Sequence, residues 1–288
     1  MSEVFSRILL PIDFTPDTEI AVKRAIELIE PTGSSIHLIH IVNPFRILVS
    51  NPYDARFLFS PQRSNFYRQH KMKLEQWKQT LAETLDKTTV TAEMIISQSV
   101  EDVIVRRSKN IKPDLVIIGK HSFNSGLGIM NTVSPARIVS NSGCTVLTVK
   151  PSKFYSRNQI VVIPIGLCVP QRTIGAVASL SRKLHFVVYL VAIPESISKP
   201  TNSSGQALLE TFRILKRTPN CQVECRMIND TSLTKAARRF AASIQADMLL
   251  IHPEIQKTIS IIDKQPQGGI KPLSGLQVLA GKPYEHNN

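Results

Sequence analysis

Two stretches of the chain pair side-chain and backbone types suited to holding a phosphorylated ligand. Pro11-Ile12-Asp13 closes the apolar run at residues 8–12. A carboxylate placed just after a strand can accept hydrogen bonds from sugar hydroxyls or from the amine of a base. The second stretch, GKHSFNSGLGIMNTVSPAR at residues 119–137, follows Leu115-Val116-Ile117-Ile118 and precedes a segment with helical spacing. A turn of small residues that opens a helix offers backbone N–H groups and the positive end of the helix dipole to phosphate oxygens. The same residues have a plainer reading, in which Asp13 bonds nearby backbone N–H groups to cap the turn into the first helix and Thr132 is an ordinary N-cap.

No catalytic set accompanies them. The sequence has no G-x-S-x-G elbow, no G-x-x-x-x-G-K-[ST] loop, no H-E-x-x-H and no evident nucleophile with its base, so the expected protein is not an enzyme. His40, His121 and His252 fall near strand ends, where polar rim residues are expected rather than metal ligands. Cys144, Cys168, Cys221 and Cys225 lack metal-site spacing. On a strand, Cys221 and Cys225 would share one face about 13 Å apart, too far for a disulfide or one zinc ion. Buried or unreactive thiols are expected, and no metal beyond the Mg²⁺ that accompanies a nucleotide.

The chain has 288 residues, 42% hydrophobic and 20% charged, with no apolar stretch near the ~20 residues a membrane helix needs. Its N-terminus, MSEVFSRILLPIDF, is unlike a signal peptide, and a cytoplasmic protein with no membrane partner is expected. The formal charge of +13 is uneven: residues 1–150 hold 18 Lys+Arg against 14 Asp+Glu, a net of +4, and residues 151–288 hold 17 against 8, a net of +9. Such a surface attracts nucleotides and nucleic acid alike. Clusters such as Arg213, Lys216, Arg217 and Lys235, Arg238, Arg239 read first as solvated helix faces, so nucleic acid is not the expected partner.

The elements that must position these groups come in two copies. ILLPIDF at residues 8–14 recurs as VVIPIGL at 161–167, with Pro11 on Pro164 and Asp13 on Gly166; DLVIIGKH at 114–121 recurs as DMLLIHPE at 247–254. In each copy, short apolar runs rich in β-branched residues alternate with segments of helical periodicity. This is the pattern of an open parallel α/β sheet with helices on both faces. Strands are expected near residues 7–12, 36–42, 90–96, 114–118 and 144–149, and again near 159–165, 186–193, 222–228, 247–252 and 276–280. Helices are expected at 18–30, 65–86, 100–110 and 133–140, with Ile20, Ala21, Ala25, Leu28 and Ile29 inward in the first and Phe66, Leu74, Trp77, Leu81 and Leu85 in the second. Residues 43–64 form a long connection with three prolines, of a length usually functional or mobile. The expected domains are 1–152 and 153–288. Residues 145–149 and 276–279 are expected at the interface between the halves, because terminal strands need pairing or cover.

In this order the motifs LLPIDFT, HLIHIV, DLVIIGKH, NTVSPARIV and CTVLTVK resemble those of the universal stress protein family in a tandem two-domain form, over nearly the whole chain. The resemblance implies two five-stranded parallel α/β domains packed as a pseudo-dimer. Some members bind ATP through a loop similar to G-x2-G-x9-G-[ST]. Here Gly119 matches the first glycine, Ser122 stands at the second, and Asn131-Thr132 stand one residue early where Gly-Ser/Thr is expected. Carried over by position, the adenosine contacts are Pro11, Asp13 and Ile41, and the phosphate contacts are Gly119, Ser122, Asn131, Thr132 and the backbone of Val133. The second copy, with Gly166 for Asp13 and His252-Pro253 in place of the glycine turn, is expected to bind no ATP. The resemblance thus implies a stress-response interaction module with a weak or vestigial site for ATP or AMP, a protein partner and a homodimer. The alternatives are a ligand-free scaffold and a basic nucleic-acid-binding protein.

Overall fold

The structure is a computed structural model, described for residues 5–30, 32–43, 61–119, 133–149, 158–182, 184–194, 203–251 and 277–280. The chain divides into two compact units, Phe5–Val133 and one containing Ser134–Asn288.

The first unit holds β1 (Arg7–Ile12), α1 (Pro16–Leu28), β2 (Ser34–Val42), α2 (Pro61–Thr84), β3 (Thr88–Ile96), α3 (Val100–Ile111) and β4 (Leu115–Gly119). Its strands run parallel in the order β3-β2-β1-β4. All of β4 and all of β1 after Arg7 are buried. Unbroken burial along a strand means that both sheet faces are covered, so these strands read as continuous Leu/Ile/Val runs rather than alternating ones. The covering helices show why they form. On α1, Ala21, Ala25 and Leu28 are buried while Glu19, Lys23 and Glu27 face out. On α3, the Ser99 hydroxyl accepts from Asp102 N–H at 3.3 Å, Glu101 and Asp102 sit at the positive end of the dipole, and Lys112 in left-handed backbone ends the helix.

The second unit holds α4 (Pro135–Ser142), β5 (Thr145–Val149), β6 (Asn158–Pro164), α5 (Gln171–Leu180), β7 (His185–Ala192), α6 (Ser203–Lys216), β8 (Cys221–Met227), α7 (Leu233–Ser243), β9 (Met248–Ile251) and β10 (Gln277–Ala280). The strand order is β5-β10-β9-β6-β7-β8. Pairing is parallel except between β5 and β10, where Leu279 lies opposite Leu147 in an antiparallel ladder. The two terminal strands singled out in the sequence therefore pair with each other, although Leu276 lies outside the described residues. Because β5 joins this sheet, the compact units part before α4, while the sequence repeat parts near residue 152.

The repeat is visible in matched hydrogen bonds. Asp114 N–H donates to the Arg7 carbonyl at 2.8 Å, and its Oδ2 accepts from Arg7 N–H at 2.8 Å and from both the N–H and the hydroxyl of Ser6. In the second unit Asp247 N–H donates to the Ile160 carbonyl at 2.8 Å, and its Oδ2 accepts from Ile160 N–H at 2.7 Å. Arg7 and Ile160 stand 153 residues apart, as Pro11 and Pro164 do. Each aspartate ties the entry of one strand to the entry of its neighbour.

The α/β class stands as read from sequence, and the strands lie within about two residues of their expected bounds. Of the residues expected to point inward, Ile20, Phe66, Trp77 and Leu85 are only half-buried. All four cysteines are free; Cys144 is buried, Cys221 is half-buried, and Cys168 and Cys225 are exposed. Of the expected alternatives, buried or unreactive, burial holds for Cys144 and not for Cys168 or Cys225. No described helix is long and apolar enough to cross a membrane. Residues 44–60 of the long connection lie outside the described residues.

Candidate functional site

In an open parallel sheet a ligand crevice lies beyond the carboxyl ends of the strands, where the strand order reverses. In the first unit that point lies between β1 and β4. Ile8 pairs with Leu115 and Leu9 with Val116; the same offset brings Gly119 level with Ile12, one residue before Asp13. Ile12 also pairs with His40 on the other side, so Ile41 is level with Asp13. The topology therefore gathers Pro11, Asp13, Ile41 and Gly119 at one end of the sheet.

Asp13 is half-buried, and its Oδ1 accepts from Thr15 N–H at 3.2 Å, from the Thr15 hydroxyl at 2.5 Å and from the Thr18 hydroxyl at 2.7 Å. Its own N–H donates to Thr18 Oγ1 at 3.1 Å. These bonds shape the turn into α1, whose N-cap Thr15 makes no side-chain cap of its own and whose first turn holds Pro16. The capping reading of Asp13 is therefore realised. Pro11 and Ile41 are buried, Ile41 completely, so what either can offer a ligand is main chain.

Gly119 has a separate reason to be glycine. A Cβ there would lie 2.1 Å from the carbonyl oxygen of Asp17 and 2.5 Å from its carbonyl carbon. The first turn of α1 thus rests directly on the end of β4, and no side chain fits between them. Val133 is buried. Ser122, Asn131 and Thr132 lie outside the described residues, as do His121 and His252.

Beside Asp13 lies a ring cluster. Phe14 adopts left-handed backbone (φ 59°), which is uncommon for a bulky residue. Its ring lies 4.4 Å from His40, 5.7 Å from His70 and 6.0 Å from Trp77, centroid to centroid. His40 and His70 stack at 4.9 Å, and Phe66 lies 4.1 Å from His70. His40 corrects its expected role, since it is buried in the core and not a rim residue. Its Nδ1 meets the Ile12 carbonyl at 2.9 Å, and its Nε2 meets His70 Nδ1 at 2.7 Å. A carbonyl can only accept, so Nδ1 of His40 carries the proton; its Nε2 then accepts, and His70 Nδ1–H donates. Burial pulls His40 below its ordinary range, opposed by the Ile12 carbonyl and the Asp13 charge. Burial, with neighbouring His40 and Lys73, brings His70 down to about 4. Both rings are therefore neutral at pH 7.

His70 did not emerge from the sequence as a site residue. The available signal was its place on the Phe66, His70, Leu74, Trp77 stripe of α2, where a histidine replaces an apolar residue at a three- or four-residue step. Among the described residues, no group of three or more His, Cys, Asp or Glu is placed to hold a metal ion.

Fold and corner together define an open parallel α/β protein with a polar switch point and a ring-packed flank. The Universal stress protein family pattern matches residues 5–150, just over half of the 288 residues. The chain belongs to that family. It is similar over 97% of its length to a universal stress protein from Archaeoglobus fulgidus DSM 4304, covering 97% of that chain, with 12% identity and a TM-score of 0.62. A functionally unknown protein from Pseudomonas aeruginosa PAO1 is similar over 97% of this chain and 93% of its own, with 14% identity and a TM-score of 0.58. At these identities the likeness is one of fold. No curated protein matches the chain.

Proposed function

We propose that this stress-response family member acts without catalysing a reaction, as a nucleotide-responsive interaction module with a weak ATP or AMP site in its first repeat. The observation that supports this most is the convergence of Asp13 and Gly119 at the switch point, with the carboxylate oriented by three donors before any ligand arrives. Asp13 would accept from the ribose or base. Gly119, Ser122, Asn131, Thr132 and the Val133 backbone would face the phosphates, with Mg²⁺ entering only with the nucleotide. The second repeat has Gly166 where the first has Asp13, so it offers no matching carboxylate. In this reading a bound nucleotide alters the surface presented to a protein partner in the cytoplasm.

A second reading, the ligand-free scaffold, draws on one specific observation: the fold already uses Asp13 Oδ1 and the missing side chain of Gly119 for its own turn and packing. Thermal unfolding with ATP and AMP, on the wild type and on Asp13→Asn, separates the two. Asparagine keeps an Oδ1 acceptor for the turn and removes the charge. A saturable stabilisation, about 1.4 kcal/mol at ten times Kd and weaker in Asp13→Asn, is expected. Absence of any effect at millimolar nucleotide would leave the scaffold.

A further inference from the structure

Among the described residues the outer edge of β8 is an unpaired ladder. Phe186 N–H donates to the Asn220 carbonyl at 2.8 Å and Ile228 N–H donates to the Ala192 carbonyl at 2.9 Å, with an unbroken register from Phe186 opposite Cys221 to Ala192 opposite Met227. In a parallel pair with that phase, residues 222, 224 and 226 turn their backbone groups toward β7. Cys221, Val223, Cys225 and Met227 therefore turn theirs outward. Among the described residues no strand lies on that side. Gln222, Glu224, Cys225, Arg226 and Met227 are exposed, Met227 by 57%. Of the usual protections of an open edge the strand has no proline and no bulge, and it carries charge in the exposed Glu224 and Arg226.

We infer that β8 is a homodimer surface, pairing antiparallel with β8 of a second copy about a two-fold axis at Cys225. Outward backbone groups on odd-numbered residues restrict the symmetric registers to those in which odd residues oppose odd residues. Centring on Glu224 opposes Glu224 to its own copy, and centring on Arg226 does the same to the arginine. Centring on Cys225 places each Glu224 opposite the other copy's Arg226 in a non-hydrogen-bonded pair, where side chains lie closest, and places Val223 opposite Met227. Within one chain Arg226 Nη2 already bonds Glu224 Oε2 at 2.6 Å. Two such pairs facing each other make an alternating ladder of four charges. Charge complementarity thus selects both the occupant and the register.

The test is sedimentation equilibrium of the full chain at 0.15 M salt, where the repulsion of a +13 chain from its copy is screened beyond about 8 Å. The wild type is expected to dimerise. Glu224→Arg and Arg226→Glu should each raise the dimer dissociation constant at least tenfold. The double charge swap should restore association, and so should an equimolar mixture of the two single variants. The mixture is the decisive arm, because it rebuilds the pairs across the interface and not those within either chain. In a Cys168→Ser background, a short bis-maleimide should join Cys225 to Cys225. A wild type that stays monomeric at 0.1 mM, a dimer indifferent to both reversals, or crosslinks only to other residues would each overturn the proposal.

Discussion

Lowering the pH from 6.5 to 4 should destabilise the first unit through His70, by an amount that follows from its surroundings. His70 is held by His40, Phe66 and Phe14, with Lys73 on the same helix and the Asp13 carboxylate acting on His40. In the folded chain it accepts a proton only near pH 4, whereas in the unfolded chain it does so near 6.5. Between those values the unfolded state carries a proton that the folded state lacks, so stability falls as pH drops through the window and levels off outside it. The full gap would be worth about 3 kcal/mol. The ring is partly open to water, and screening reduces this to about 1–2 kcal/mol. Trp77 is the chain's single tryptophan and lies 6.0 Å from Phe14, so its fluorescence reports on this cluster during urea unfolding. His70→Gln keeps a side-chain N–H to donate to His40 Nε2 and removes the titration. The wild type should therefore lose about 1–2 kcal/mol more than His70→Gln between pH 7.5 and 4.5. Equal losses in the two proteins would refute the assignment of a neutral His70 that donates to His40 through its Nδ1–H.

Gly119→Ala should cost at least about 2 kcal/mol in thermal unfolding, because a methyl 2.1 Å from the Asp17 carbonyl oxygen forces α1 off the sheet; an unchanged Tm would show that the helix moves freely. Asp13→Ala should cost about 1–2 kcal/mol from the lost turn bonds and Asp13→Asn less, which denaturant titration in the absence of nucleotide would show. Asp114→Ala removes the Oδ2 acceptor of three donors on Ser6 and Arg7 and should cost about 2 kcal/mol, with hydrogen exchange at Arg7 N–H rising first.

How much of this was legible in the sequence depended on whether a residue's role is local. Strands buried on both faces announce themselves as unbroken apolar runs, and Leu115-Val116-Ile117-Ile118 could hardly be anything else. Three helix starts were misread. Periodicity placed them at residues 18, 65 and 133, while the helices begin at Pro16 and Pro61, two and four residues earlier, and at Pro135, two residues later; the start at Val100 was read correctly. A proline loses nothing at a first-turn position whose N–H is unpaired anyway, so it was the better marker in all three cases.

At the site, the residues that looked like ligand chemistry turned out to hold a fold contact as well. Asp13 was legible as a cap because its partners Thr15 and Thr18 lie within five residues. Gly119 was not, since the backbone that forbids its side chain belongs to Asp17, about a hundred residues earlier. His70 was hidden for the same reason: only the tertiary fold reveals that it donates to His40, thirty residues away and committed to Ile12. A glycine at a strand end can therefore signal helix-on-strand packing as readily as phosphate binding. What separates the two is whether the neighbouring carboxylate can serve a ligand while still holding its turn, and Asp13→Asn changes the charge while sparing that turn.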